Sequence, residues 1–137
     1  MSPFFELEII VPEKTYFDDK VNSLSVVTSD GELTILAHHT DLIANIEISH
    51  MKINANGKVK YYAVSGGIMN IYQKENKVIL CVNAIESQDE IDKDRALRAK
   101  ENAENKLKQE SITLREQQRF EIKLKRALNR LSLTNGK

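Results

Sequence analysis

Apolar and polar positions alternate in short runs over the first two thirds of the chain. Phe5, Leu7, Ile9 and Val11 alternate with Phe4, Glu6, Glu8 and Ile10. That pattern predicts a half-buried strand ending at Pro12. Tyr16-Phe17 is a short apolar run before an acidic turn at Asp18-Asp19. Val21–Thr28 is rich in β-branched residues and predicts a second strand, closed by Ser29-Asp30-Gly31. Leu33–Leu36, Leu42–Ile48 and Met51–Asn54 follow as further strands. Asn56-Gly57 is a hairpin signal, because both residues tolerate positive φ, and Lys58–Val64 is the return strand. Ser65-Gly66-Gly67 interrupts it, as a bulge or a close approach of backbones. Ile68–Tyr72 resumes, and Lys74-Glu75-Asn76 turns the chain into Lys77–Asn83. About eight to ten short strands at this spacing predict an antiparallel sandwich or flattened barrel.

The character changes at Ser87–Ala99. After it there is no Gly or Pro until Gly136. Ser87 with Glu90, and Asp89 with Asp92, have the form of capping boxes, and this acidic stretch suits the positive end of a helix dipole. Beyond Ile91, residues Ala96, Ala99, Ala103 and Leu107 recur at steps of three and four, which is one helix face made mostly of alanine. The pattern slips over residues 109–113, where Thr113 with Glu116 forms another capping box. The second helix has its apolar face at Phe120, Leu124, Ala127/Leu128 and Leu131, with Lys123, Arg126 and Arg130 on another, and frays at Thr134-Asn135-Gly136. Two helices of about 18–20 residues joined by a short link predict an antiparallel hairpin. The expected division is therefore a β-sandwich over residues 1–86 and a helical hairpin over 87–137. So thinly glued a hairpin is either static or a switch between docked and extended states.

Charge sharpens that division. The chain of 137 residues is formally neutral. Residues 1–88 nevertheless hold 7 lysines against 11 acidic residues, and residues 89–137 hold 13 basic residues against 9 acidic ones. The last stretch, 119–137, has six basic residues and one acid, Glu121, so it favours an acidic partner, a phosphate ligand or anionic lipid over a cationic one. A solvated helix face is the plain alternative. No uncharged run is long enough to span a bilayer, and Met-Ser-Pro-Phe-Phe-Glu-Leu-Glu has no basic n-region, so no signal peptide is expected. The single cysteine, Cys81, is expected as a small core hydrophobe in a reducing compartment.

No nucleophile elbow, phosphate-binding glycine loop or HExxH occurs. Glu32, His38, His39, Asp41, Glu47 and His50 cluster within a short span. His38 and His39 are adjacent, so on a strand they would point to opposite faces, and a polar surface loop is favoured over a metal site.

Five stretches, in order and spanning nearly the whole chain, resemble the epsilon subunit of F-type ATP synthases. They are Gly31-Glu32-Leu33-Thr34-Ile35-Leu36 with His39 and Leu42; Tyr61-Tyr62-Ala63-Val64-Ser65-Gly66-Gly67; Val78-Ile79-Leu80; Ile91-Asp92-Lys93-Asp94-Arg95-Ala96; and Lys125-Arg126-Ala127-Leu128-Asn129-Arg130-Leu131. The resemblance implies a non-catalytic subunit of the rotating central stalk, peripheral on the cytoplasmic face of the membrane. Its sandwich would bind the gamma subunit and sit on the membrane rotor ring of c subunits, with the loop carrying Glu32 and His39 toward the ring. Thr34 stands where the family usually has Gly, and Ala37 where it has Pro.

The same resemblance assigns a regulatory ligand and a regulatory partner. Ile91, Asp92 and Ala96, with Glu86 upstream, would contact the adenine and ribose of ATP. Arg95, Arg126 and Arg130 would meet its phosphates with planar, permanently charged guanidinium groups. Asn102 replaces an Arg of tight ATP-binding members, which implies weaker binding. No cofactor is required. With the hairpin undocked, Lys123, Lys125, Arg126 and Arg130 would pair with acidic residues of a beta subunit and obstruct ATP hydrolysis. Two other function classes have separate signatures: a stand-alone ATP-binding sensor, which would need no gamma-like partner, and a cupin-like metalloenzyme using His38, His39 and His50.

Overall fold

The computed structural model describes residues 3–135. The chain separates into two compact units, Met1–Ser87 and Gln88–Lys137. The first is all β. Its strands are β1 (Phe5–Val11), β2 (Lys14–Val21), β3 (Ser23–Thr28), β4 (Gly31–Leu36), β5 (Leu42–Ala55), β6 (Lys58–Tyr72), β7 (Lys77–Val82) and β8 (Ile85–Ser87). They form one sheet of eight strands in the order β2-β1-β7-β6-β5-β3-β4, with β8 on β6.

The sheet folds onto itself through its two long strands. The later half of β6 pairs with β7, while its earlier half pairs with β8. The later part of β5 pairs with β3. Leu7, Ile9, Leu80 and Met69 from one layer and Leu24, Ile35, Met51 and Val64 from the other make a single core cluster. Tyr16 meets Tyr62 edge-to-face at 6.4 Å. Burial alternates along β1, β3 and β7, as the period-two pattern requires.

Several details depart from the expectation. Asp18-Asp19 is no turn: both lie inside β2, an edge strand whose charged residues face water and discourage further pairing. Val21 ends β2 rather than opening β3. The breaks at Ser49-His50 and Ser65-Gly66-Gly67 do not end strands, because β5 and β6 run through them. β8 is an added strand. One ladder, β1 with β7, is parallel in an otherwise antiparallel sheet. Cys81 is exposed on β7 between buried Leu80 and Val82, so it is no core residue. The Asn56-Gly57 hairpin is present, with φ of 55° and 79°.

Asn76 fastens one end of the sandwich. Its side chain accepts from the His38 amide at 2.7 Å and donates to the Phe4 carbonyl at 2.8 Å, from a backbone at φ 51°. Gln73 donates to the His38 carbonyl at 3.0 Å, and Asp41 accepts from the Gln73 amide at 2.8 Å. The loop between β4 and β5 is thus held by side chains rather than by a ladder.

The second unit opens with a 3-10 turn, Gln88–Glu90, followed by α1 (Lys93–Leu107) and α2 (Leu114–Asn135), of 15 and 22 residues. Neither Ser87 nor Asp89 caps α1. Asp92 is the N-cap, and its Oδ1 accepts from the Arg95 amide at 3.1 Å. The Thr113–Glu116 box does form: Thr113 Oγ1 accepts from the Glu116 amide at 3.2 Å, and Glu116 Oε1 accepts from the Thr113 amide at 3.4 Å. The helices pack on each other, burying Ala96 and Ala103 from α1 and Phe120, Ala127 and Leu131 from α2. α2 continues through Thr134 to Asn135, while Gly136 lies outside the described residues.

Candidate functional site

α2 carries its chemistry on one face. Arg115, Arg119, Lys123, Arg126 and Arg130 follow one another at steps of three or four, which places all five on one side of the helix. Like charges at that spacing repel by a few tenths of a kcal/mol per pair, so isolated α2 gains nothing from the arrangement. Arg119 and Lys123 lie 5.6 Å and 5.5 Å from the centroid of the Phe120 ring. Arg126 differs from the rest: its Nε is buried and has no hydrogen-bond partner among the described residues. An unsatisfied buried donor costs about 1–3 kcal/mol, more when charged, unless a ligand meets it. Arg130 is half-buried and already has an interaction of its own. Arg115 and Arg119 escaped the sequence reading, although the four-residue step from Lys123 back to each was there to follow.

The start of α1 comes to the same end of the hairpin. Gln88 Nε2 donates to the Leu133 carbonyl at 3.0 Å, which ties the C-terminal turns of α2 to the segment before α1. Arg130 lies within a turn of Leu133, and Arg95 is exposed in the first turn of α1. A cation there opposes the helix dipole, so Arg95 does not serve α1 itself. Asp92 has one carboxylate oxygen committed to the cap. Ile91 and Ala96 are buried, at 8% and 1% exposure, so both are packing residues first. Glu86 belongs to the sandwich unit, on β8 opposite Ala63, and is already engaged. Lys123 and Lys125 are exposed.

In the sandwich unit, Glu32 and His39 do not share a loop. Glu32 is the second residue of β4, pairing with Val27, whereas His39 lies beyond the strand's other end, where Leu36 pairs with Ser23. Both are accessible. Glu32 is exposed, and half-buried His39 has its Nδ1 2.8 Å from the Thr40 carbonyl. Among the described residues no three His, Cys, Asp or Glu side chains converge as a metal-binding group. His38, His39 and His50 therefore have no coordinating set between them.

The register reveals a surface that residue types alone did not. Ile68 pairs with Cys81 and Cys81 with Ile10; Asn70 pairs with Ile79 and with Ile43. Directly opposed residues point to one face, so Ile10, Ile43, Ile68, Ile79 and Cys81 share the outer face of this layer. Ile43 is 74% exposed and Ile68 47%. Asn45 and Asn70 are interspersed among them on the same face, and exposed apolar groups of this kind mark interaction surfaces.

Residues 4–88 match the family described as ATP synthase, Delta/Epsilon chain, beta-sandwich domain, and residues 89–135 match its long alpha-helix domain. The chain belongs to the ATP synthase delta/epsilon chain family. More particularly, it is 42% identical to the ATP synthase epsilon chain of Caldicellulosiruptor saccharolyticus, over 94% of this chain and 92% of that one. It is 38% identical to the ATP synthase epsilon chain of Ruminococcus albus, over 97% and 98%. The fold resembles a chain in the Euglena gracilis mitochondrial ATP synthase OSCP/F1/c-ring structure, with TM-score 0.79 and 20% identity over 94% of this chain and 80% of that one. It also resembles a chain in the central stalk and c-ring structure of the Tetrahymena thermophila mitochondrial ATP synthase, with TM-score 0.63 and 13% identity over 95% and 96%. No helix of the described residues is long and apolar enough to cross a membrane.

Proposed function

We propose that the chain is the central-stalk epsilon subunit of a rotary ATP synthase, non-catalytic, coupling the catalytic head to the ion-translocating ring and restraining ATP hydrolysis through its helices. It would be peripheral, held at the cytoplasmic face of the membrane by the complex. Its epsilon-chain relatives support the placement. The apolar outer face around Ile43 and Ile68 suits the gamma subunit. Glu32, exposed at the start of β4, suits the polar surface of the c ring.

The observation that carries the regulatory part is Arg126, a half-buried arginine whose Nε is buried without a hydrogen-bond partner among the described residues, on the helix that packs against the alanine face of α1. Three alanine methyls contribute about 0.8 kcal/mol each on burial and Phe120, Leu131 and Leu133 about 1.5–3 kcal/mol each, before the cost of ordering the helices is subtracted. A polyanion bridging Arg95, Arg126 and Arg130 would add charge-assisted bonds across both helices. ATP is the ligand this reading assigns, and it would favour the folded hairpin by its differential affinity for that form alone. Released, α2 would offer Lys123, Lys125, Arg126 and Arg130 to acidic residues of a beta subunit.

Calorimetry with ATP on the full chain, beside Arg126→Ala, tests the ligand. Saturable heat in the wild type and none in the variant is expected, and equal heats would remove ATP from the account. Co-purification with a gamma-like chain separates a stalk subunit from a stand-alone nucleotide sensor.

A further inference from the structure

The two helices of the second unit are closed at one end by the chain itself, through residues 108–113 between α1 and α2. The other end has no covalent closure, so the pair opens most readily there. One side chain spans it. Gln88, half-buried in the 3-10 turn before α1, donates from Nε2 to the Leu133 carbonyl at 3.0 Å, across 45 residues of sequence. α2 ends at Asn135, so Leu133 stands in its final turn, where a carbonyl has no amide further along the helix to accept from. Gln88 therefore caps α2 from a distant part of the chain. Leu133 is buried at 5% exposure, so water is poorly placed to replace that donor. Thr134 Oγ1 donates to the Leu131 carbonyl at 2.7 Å and fixes the same turn. Arg130 is three residues before Leu133, and Arg95 is in the first turn of α1.

We propose that Gln88 is the latch of the hairpin, a positioning residue that holds the last turn of α2 at the start of α1 and so keeps Arg95 and Arg130 within reach of one anion. The inference rests on the reading of the hairpin as an ATP-responsive switch, and it names what holds the switch closed when no ATP is bound. The bond joins a neutral amide to a neutral carbonyl, so salt does not screen it as it screens contacts between arginine and phosphate. A single bond of this kind shifts the closed-to-open ratio by roughly two- to tenfold. That is enough to bias the pair and too little to lock it. A ligand that bridges both helices completes the closure, and its apparent affinity carries the fraction of chains already closed.

The test measures amide exchange over residues 127–135 and ATP calorimetry on the full chain. The variants are Gln88→Ala, Gln88→Glu and Gln88→Lys, with Gln73→Ala as a control whose own bond lies in the sandwich. Each is first checked for a wild-type β-sheet thermal transition. Gln88→Ala and Gln88→Glu lack the donor. Both are expected to exchange about two- to tenfold faster at that end of α2, and to bind ATP more weakly by no more than the same factor. Gln88→Lys restores a donor and is expected to exchange as the wild type does, as is Gln73→Ala. Unchanged exchange in Gln88→Ala overturns the latch, and so does faster exchange with unaltered ATP affinity. A loss of affinity well beyond the change in exchange overturns the positioning role, because Gln88 would then touch the nucleotide itself. An effect of Gln88→Ala that vanishes in high salt also overturns it, since that behaviour belongs to a charge. Absence of ATP heat in the wild type overturns the nucleotide reading beneath the inference, and the latch then stands or falls on exchange alone.

Discussion

Gly67 lets β6 pass β7 at close range. A Cβ built there would overlap the Cys81 carbonyl oxygen and crowd Val82 Cα, both backbone atoms that cannot swing aside. Gly67→Ala is therefore expected to cost about 2–3 kcal/mol through forced strand displacement, measured by urea denaturation of the full chain. The sequence reading already allowed a close backbone approach at this pair of glycines. It could not say which strand approached, because that depends on pairing across the sheet. Arg126 makes the complementary point. Its type and spacing pointed to an anion, but only the structure shows that its Nε is buried and unpartnered among the described residues. A structural arginine and a ligand-binding one then predict opposite signs. If the group awaits an anion, Arg126→Met removes an unmet donor and leaves the ligand-free chain as stable or about 1 kcal/mol more stable, while ATP binding is lost. Paired thermal melts with and without ATP check this. Destabilisation of the free chain together with intact ATP-induced stabilisation would assign Arg126 to structure instead.

At the level of elements, caps were legible where they are local and misplaced where several competed. Thr113 and Glu116 form their box because nothing else nearby offers a hydroxyl and a carboxylate three residues apart. Before α1, Ser87, Asp89 and Asp92 all have the right chemistry, and Asp92 caps because the chain is still in β8 and a 3-10 turn at the first two. Asp92→Ala is expected to cost about 1 kcal/mol, confined to α1 and read as faster amide exchange over its first turns. Strand ends were hidden for a related reason. Charged Asp18-Asp19 reads as a turn by composition, yet an edge strand accepts charges that a central strand would not. Likewise, polar Ser49 and glycines 66 and 67 read as breaks, although long strands crossing two layers must bend there. The parallel β1–β7 ladder had no local signal at all, since pairing of distant strands is written in neither.

On the scale of the whole molecule, the two units differ in what holds them. The sandwich has one apolar cluster drawn mainly from β1, β3, β5, β6 and β7, with Val21, Ile35 and Ile85 completing it from β2, β4 and β8. Among the described residues the hairpin buries three alanines and four larger apolar residues, Ile91, Phe120, Leu131 and Leu133, and it has an excess of positive charge. Residues 1–87 alone are therefore expected to keep a cooperative β-sheet transition, by circular dichroism and urea. Residues 88–137 alone have too little buried apolar area to do the same. That difference makes the functional prediction clean, because removing the helices need not unfold the part proposed to transmit torque. ATP synthase reassembled with residues 1–87 in place of the full chain is expected to remain coupled and to hydrolyse ATP faster, most clearly at low ATP, where the hairpin lacks its ligand. The same reassembly with Arg126→Met in the full chain should hydrolyse ATP no faster at high ATP than at low, once substrate saturation is accounted for, because ATP can no longer hold the helices folded. Hydrolysis unchanged by the truncation at every ATP concentration would leave the hairpin as a structural appendage, and with it the cationic face of α2 as a solvated surface.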